Sequence, residues 1–278
     1  MSLLYTEVRG NGPALVLLHG WGLNVRVWDG LAAALRERFR IIAVDLPGHG
    51  RSAWLPERSS LAEQAAQVRE TIAAISEEYS LVGWSLGGQI ALQMAVQLAA
   101  AGRDSGAAAP HLRRATATDR LVLIATTPRL VAGPDWPHGA PPERLAAQAA
   151  DLRTNYRRTV SDFLELQVRG SSGAAEALEQ LRTTLFAHGS SGPQLAALAR
   201  GLELLRDTDL RPILPQITLP TLVIAGQYDR VTQPSASRAL ADSLPEARYV
   251  EIRRAAHAPF LSHLPQLAAL ISDFLQQS

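Results

Sequence analysis

Short apolar runs alternate with segments of helical periodicity along the first part of the chain. The runs typical of buried strands lie at residues 15–18, 41–44, 81–82 and 121–125, and the helical patterns between them lie at 27–38, 61–76 and 88–101. Residues 102–118 are rich in Gly, Ala and Arg and are expected to form an extended surface loop. Such an alternation predicts an α/β fold with a mostly parallel, doubly wound sheet and helices on both faces.

The strand pattern stops at residue 127 and returns only after residue 215. A proline-rich stretch comes first, and helical patterns follow at 143–155, 161–168, 174–186 and 193–203. Strand-type runs then return at 221–225 and 247–252, before a closing helix at 264–277. We predict that residues 127–215 form a helical lid over the active site. The remaining residues, 1–126 and 216–278, would form the core that carries it.

The segment Gly83-Trp84-Ser85-Leu86-Gly87 has the form G-x-S-x-G and lies between a predicted strand and a predicted helix. In that context the turn raises a serine hydroxyl above the sheet edge, and small neighbours let the backbones pass closely. The motif therefore predicts that Ser85 is a nucleophile. An ordinary turn serine is the alternative, and the position of two further residues makes it the weaker one.

An acid and a histidine follow in the order that this chemistry requires. Asp229 comes after the run at 221–225 and a glycine turn, and His257 lies in a loop just before the closing helix. A serine hydroxyl needs an imidazole to take its proton, and the imidazole needs a buried carboxylate to orient it. The order serine, acid, histidine is that of the α/β-hydrolases, whereas chymotrypsin-like and subtilisin-like proteases have other orders.

A further turn supplies the expected oxyanion hole. The apolar run at 14–18 is followed by His19-Gly20-Trp21-Gly22, and the residue after the nucleophile is Leu86. In this kind of site, one main-chain N–H comes from each of these two places. We therefore assign the oxyanion hole to the amides of Trp21 and Leu86. We expect His19 to hold the loop by side-chain hydrogen bonds.

The composition of the chain excludes several kinds of partner and chemical site. The 278 residues carry 27 basic and 26 acidic side chains, and a net charge of +1 gives no electrostatic case for nucleic acid or an anionic membrane surface. Cysteine is absent, which excludes disulfides, thiolate metal sites and a cysteine nucleophile. With no signal-peptide pattern and no apolar run of about 18 residues, we expect a cytoplasmic monomer without metal or cofactor.

Over nearly its whole length the chain resembles the α/β-hydrolases, and among them the pimeloyl-[acyl-carrier protein] methyl ester esterases. The matching segments are LLHGWGLN at 17–24, DLPGHGRS at 45–52, GWSLGG at 83–88 and AAHAPFLSH at 255–263. In the predicted lid, residues 158–160 and 163–167 resemble the segment that lines the acyl pocket of these esterases.

The resemblance implies a substrate whose pimeloyl chain is thioester-linked to acyl carrier protein at one end and methyl-esterified at the other. Ser85 would attack the methyl ester with His257 as base, methanol would leave, and the freed pimeloyl unit would be committed to biotin. The substrate-binding residues implied are Trp21, Ser85, Leu86, Phe163, Leu164, Glu165, Leu166, Gln167 and His257.

Two questions stay open at the level of sequence. Arg153, Arg157, Arg158 and Arg169 form either a solvated helical face or a docking patch for the acidic carrier protein. The same triad also serves a broad short-chain carboxylesterase, a lactonase or a C–C bond hydrolase, and a non-catalytic ligand receptor shares the fold.

Overall fold

A computed structural model describes residues 4–104, 117–185 and 193–277. Within them, seven strands form one sheet in the order β1-β3-β2-β4-β5-β6-β7. The strands are β1 (Thr6–Arg9), β2 (Ala14–Leu18), β3 (Arg40–Val44), β4 (Glu78–Trp84), β5 (Ala117–Ile124), β6 (Thr221–Gly226) and β7 (Ala247–Ile252). β1 pairs with β3 in antiparallel fashion, and every other pairing in the sheet is parallel.

Helices connect the parallel strands. They are α1 (Asp29–Leu35), α2 (Leu61–Ala73), α3 (Leu86–Asp104), α4 (Pro142–Thr154), α5 (Tyr156–Val168), α6 (Ala174–Leu185), α7 (Leu195–Asp207), α8 (Pro234–Asp242), α9 (Pro259–Ser262) and α10 (Leu264–Gln276). α3 packs on β4, β5 and α2, α8 packs on β6 and β7, and α1 contacts α10. β2 and β6 are apolar without alternation because both faces of a covered parallel sheet are buried. The predicted α/β fold is confirmed.

Some predicted boundaries were wrong. The predicted loop at 102–118 is too long at both ends, because α3 continues to Asp104 and β5 begins at Ala117. The part between them lies outside the described residues. The helix predicted at 27–38 begins as a 3-10 turn over Val25–Trp28, and α1 then ends at Leu35. Sequence patterns also missed β1 and α8, since β1 is a short edge strand with polar positions and α8 starts at a proline.

Four helices, α4 to α7, come between β5 and β6 in the chain. α5 starts five residues earlier than predicted, because the Asn155 side chain accepts a hydrogen bond from the Arg158 amide and caps the helix there. The ends of this insertion lie side by side, since the Leu210 amide donates to the Pro128 carbonyl at 2.9 Å. None of the helices in the described ranges has the length and apolar character needed to cross a bilayer.

Candidate active site

The nucleophile turn joins β4 to α3. Ser85 has φ 56°, a left-handed conformation that a non-glycine residue adopts only under constraint. Its amide donates to the Ile124 carbonyl at 3.1 Å, which fixes the turn against the end of β5. A Cβ on Gly83 would lie 2.6 Å from the Gly87 oxygen, and one on Gly87 would lie 2.5 Å from the His19 oxygen. The two glycines of the motif are therefore required by close backbone approach.

Asp229 and His257 meet at the carboxyl ends of β6 and β7. The His257 Nδ1 lies 2.8 Å from Asp229 Oδ2, and both side chains are fully buried. Asp229 Oδ1 accepts the amides of Val231 and Thr232 at 2.8 and 2.9 Å. The carboxylate is thus held on both oxygens, and it keeps the Nδ1 proton of His257 in place. This arrangement leaves Nε2 of His257 as the basic nitrogen.

The Nε2 atom of His257 is buried and has no hydrogen-bond partner among the described residues, the Ser85 hydroxyl included. Long serine–histidine separations are common in enzymes without substrate, and they shorten when substrate binds. Ser85 itself is partly exposed, in contrast to the buried pair beside it. The arrangement therefore has a reachable hydroxyl and an imidazole whose second nitrogen is unused.

Aromatic rings and the main chain of α5 hold His257. The Trp84 indole N–H donates to the His257 carbonyl at 2.9 Å, and the two ring centroids lie 5.4 Å apart. Phe260 packs edge-on against Trp84 at 4.8 Å. On the other side, the His257 amide donates to the Gln167 carbonyl at 2.9 Å. The histidine loop is thus fixed by both the sheet and α5.

The two predicted oxyanion amides flank Ser85. Leu86 is the first residue of α3, where helix geometry leaves main-chain N–H groups without intrahelical acceptors. Trp21 lies in the turn after β2, next to Gly22 with φ 80°. A Cβ on Gly20 would lie 3.3 Å from the Ser85 Cβ, so this turn passes directly beside the nucleophile.

His19 holds that turn as a neutral ring. Its Nδ1 donates to the Gly20 carbonyl at 2.8 Å, and its Nε2 accepts the Leu46 amide at 3.0 Å. Burial lowers the pKa of His19 to about 4, so the imidazole is uncharged at neutral pH. His49 lies 5.4 Å from it between ring centroids, and burial lowers the pKa of His49 to about 3. Neither histidine is placed to serve as a base.

A small cavity of about 20 Å³ lies beside Ser85. It is lined by Trp21, Ser85, Leu130, Ala140, Arg144, Leu145, Gln148, Phe163, Leu202, Leu205 and Val231. Most of these side chains are apolar, as in most pockets that bind small organic molecules. Eight of the eleven were not predicted from the sequence, because their positions depend on tertiary packing: Arg144, Leu145 and Gln148 of α4, Leu202 and Leu205 of α7, and the loop residues Leu130, Ala140 and Val231.

Trp21 connects the oxyanion turn to the helices above it. Its indole N–H donates to the Leu198 carbonyl of α7 at 2.9 Å, and its ring packs edge-on against Phe163 of α5 at 5.0 Å. A Cβ on Gly201 would lie 2.6 Å from the Trp21 Cδ1. α7 therefore approaches the indole closely only because residue 201 is glycine.

A family model described as the alpha/beta hydrolase family matches residues 15–270. The chain belongs to this family. It is 38% identical over 270 residues to a pimeloyl-[acyl-carrier protein] methyl ester esterase of Nitrosomonas europaea, with 97% of this chain and 98% of that protein covered. It is 39% identical to a protein of the same name from Stenotrophomonas maltophilia, with 98% and 96% covered.

Solved α/β-hydrolase structures agree with the fold. An esterase from Exiguobacterium antarcticum has a TM-score of 0.83 at 21% identity, with 99% of this chain and 96% of that chain covered. An enol-lactonase from Burkholderia xenovorans has a TM-score of 0.75 at 26% identity, with 99% and 96% covered.

Of the substrate-binding residues implied for an α/β-hydrolase of this kind, Trp21, Ser85 and Phe163 line the cavity. The other four residues of the 163–167 segment do not, because consecutive helical residues point in different directions. Leu164 is buried in the core, and Glu165 pairs with Arg182 at 3.0 Å. Leu166 is half-buried away from the lining, and Gln167 is buried behind His257. Leu86 follows Ser85 in the chain and His257 packs on Trp84, and neither residue lines the cavity.

The four arginines singled out in the lid segment are exposed. Arg153 lies in the last turn of α4, Arg157 and Arg158 lie in the first turn of α5, and Arg169 follows the end of α5. Arg158 pairs with Asp162 at 3.6 Å across one helical turn, in a solvent-exposed contact of small energetic weight. Their role as a docking patch stays a prediction.

Proposed function

We propose that this carboxylic ester hydrolase acts on the methyl ester of a pimeloyl chain carried by acyl carrier protein and releases methanol. The observation that carries the reaction is the buried Asp229–His257 pair beside the strained Ser85 turn. The substrate is proposed from the name of two relatives that are 38% and 39% identical over nearly the whole chain. Removal of the methyl group would commit the pimeloyl unit to biotin.

Each residue of the site has a role in the proposed reaction. The Ser85 hydroxyl attacks the ester carbonyl while Nε2 of His257 takes its proton, and Asp229 stabilises the imidazolium that forms. The Trp21 and Leu86 amides would hold the oxyanion, where one lost donor typically reduces the rate about a hundredfold or more. His257 then protonates the departing methoxide. Water activated by the same histidine releases the acid from Ser85.

The lid segment, residues 127–215, is proposed to close the acyl cavity and to receive the carrier protein. Support comes from the cavity lining, to which α4, α5 and α7 contribute Leu145, Phe163 and Leu202. We also propose that Arg153, Arg157, Arg158 and Arg169 dock the carrier, because all four are exposed and the first three lie on the adjoining turns that end α4 and begin α5. A cytoplasmic location and a monomeric state stay predictions from the sequence.

The test compares kcat/KM for methyl pimeloyl-acyl carrier protein with that for a free short-chain p-nitrophenyl ester, using Ser85→Ala as the control. A strong preference for the carrier-bound ester that is lost in Ser85→Ala supports the proposal. Turnover of the free ester alone would make the chain a general carboxylesterase. An absence of any Ser85-dependent turnover would favour a non-catalytic receptor.

A further inference from the structure

Two polar side chains interrupt the apolar wall of the cavity. Arg144 and Gln148 both line it, and apart from Ser85 every other lining residue is apolar. They lie four residues apart on α4 and therefore project from the same face of that helix. Leu145, between them in sequence, is buried in the same wall. The α4 face toward Ser85 is thus polar at two neighbouring positions.

Arg144 has more hydrogen-bonding capacity than its neighbours use. Its Nη1 donates to the Arg230 carbonyl at 2.8 Å, and no carboxylate in the described part of the chain lies within ion-pair distance of it. The side chain is half-buried, and burial lowers the pKa of Arg144, although an arginine keeps its charge at neutral pH. The Asp229 carboxylate acts on this guanidinium at longer range, but its oxygens already accept hydrogen bonds from His257, Val231 and Thr232. The remaining N–H groups of Arg144 at the apolar wall can therefore bind an anionic or carbonyl oxygen.

Gln148 adds a second unused donor. Its Nε2 is buried and has no hydrogen-bond partner among the described residues. Buried amide donors are nearly always satisfied by protein, water or ligand, so this donor at the cavity wall is available to an acceptor on the substrate or to water. The reacting ester does not need these donors, since the Trp21 and Leu86 amides serve its carbonyl.

We propose that Arg144 and Gln148 form a subsite for a second carbonyl-type oxygen on the acyl chain, at the end opposite the methyl ester. The inference rests on the proposed function and adds to it a preference among substrates. The cavity selects methyl esters whose chain ends in another acyl group over esters whose chain ends in an alkyl group. The second oxygen belongs either to the thioester of a carrier-linked chain or to the carboxylate of a free half-ester.

The experiment measures methanol release from three methyl esters of equal chain length. One chain ends in a carboxylate, one in a thioester to N-acetylcysteamine, and one in a methyl group. The enzymes are the wild type, Arg144→Met, Gln148→Leu and Arg36→Met, in which an exposed arginine far from the cavity is replaced as the matched control. Thermal unfolding checks that each variant is folded, and Arg144→Lys replaces Arg144→Met if the latter is not.

We expect Arg144→Met to reduce kcat/KM about tenfold or more for the oxygen-ended esters, and Gln148→Leu to reduce it about threefold. The alkyl-ended ester should change less than about twofold, and Arg36→Met should change nothing. A larger loss for the thioester identifies the carrier-linked chain, and a larger loss for the carboxylate identifies the free half-ester. Equal losses on all three esters overturn the subsite and leave Arg144 as a support for the Asp229 loop.

The two proposals fail differently. If the wild type releases methanol in a Ser85-dependent way but the variants show no preference by chain end, the subsite is refuted and the esterase stands. If no ester gives Ser85-dependent methanol release, both the proposed esterase activity and the proposed subsite are refuted.

Discussion

Gly201 offers a direct test of how the helices above the cavity support the oxyanion turn. In α7 it faces the Trp21 indole, and an added Cβ would lie 2.6 Å from Cδ1 and 2.9 Å from Nε1 of that ring. Both contacts are closer than real Cβ atoms make, so Gly201→Ala must displace either the indole or α7. The same displacement stretches the 2.9 Å hydrogen bond from the Trp21 indole to the Leu198 carbonyl.

The effect of Gly201→Ala on the free energy of unfolding is the sum of opposing contributions. Alanine in place of glycine within a helix stabilises it by about 1 kcal/mol. Overpacking of a dense site destabilises by about 1–3 kcal/mol, and loss of one hydrogen bond removes about 1 kcal/mol more. We therefore expect a net loss of roughly 1–3 kcal/mol in the free energy of unfolding. Because Trp21 is also proposed to supply an oxyanion amide, kcat should fall about tenfold to a hundredfold.

The assay pairs urea unfolding with ester hydrolysis for Gly201→Ala and for Gly30→Ala as the matched control. Gly30 is an exposed residue of α1, and an added Cβ would meet only the flexible end of Leu264 at 3.3 Å. The control should keep full activity and be as stable as the wild type or slightly more stable. If Gly201→Ala behaves like Gly30→Ala in both measurements, close packing of α7 on Trp21 does not support the site.

Three further predictions follow from the buried groups and the exposed arginines. Asp229→Asn should lower kcat by about 10⁴-fold with little change in folding, because the imidazole loses the partner that sets its tautomer; unchanged kcat would remove Asp229 from the triad. His19 and His49 have folded pKa values of about 4 and about 3 against 6.5 when unfolded, so their contribution to stability is complete above pH 6.5. It should fall by roughly 1.4 kcal/mol per pH unit for each histidine as the pH drops from 6.5 toward 4, and a flat free energy of unfolding over that range would contradict both assignments. Reversing Arg157 and Arg158 to Glu should raise KM for the carrier-bound ester while sparing small esters, and equal effects on both substrates would exclude carrier docking.

The positions of Ser85, Asp229 and the Trp21 turn could be predicted because each follows an apolar strand. Parallel strands end at one edge of the sheet, so Ser85, Asp229 and the Trp21 turn are brought together by strand order alone. His257 could be predicted because it follows Ser85 and Asp229 in the chain, in the order expected for an α/β-hydrolase triad. These features depend on local sequence, and the structure changes the strand boundaries by only a few residues.

The cavity wall could not be predicted in the same way. Arg144 and Gln148 read as polar residues on an amphipathic helix, and the pattern does not say whether that face meets solvent or a cavity. The neighbours of a helix in an insertion are set by tertiary packing, which local periodicity does not encode. For the same reason, the 163–167 segment was predicted as a continuous lining although only Phe163 reaches the cavity.

The hydrogen bond from the His257 amide to the Gln167 carbonyl limits which helical insertions could replace the present one during evolution. Insertions between core strands are readily exchanged in evolution or by recombination when they touch the core only through side chains. Here the Gln167 carbonyl of α5 accepts a hydrogen bond from the His257 amide, and α7 needs glycine against Trp21. A replacement for helices α4 to α7 taken from a relative would therefore restore activity only if it supplied both a carbonyl at the Gln167 position and a glycine at the Gly201 position. We expect specificity in this chain to change through single substitutions in these helices more readily than through their replacement as a block.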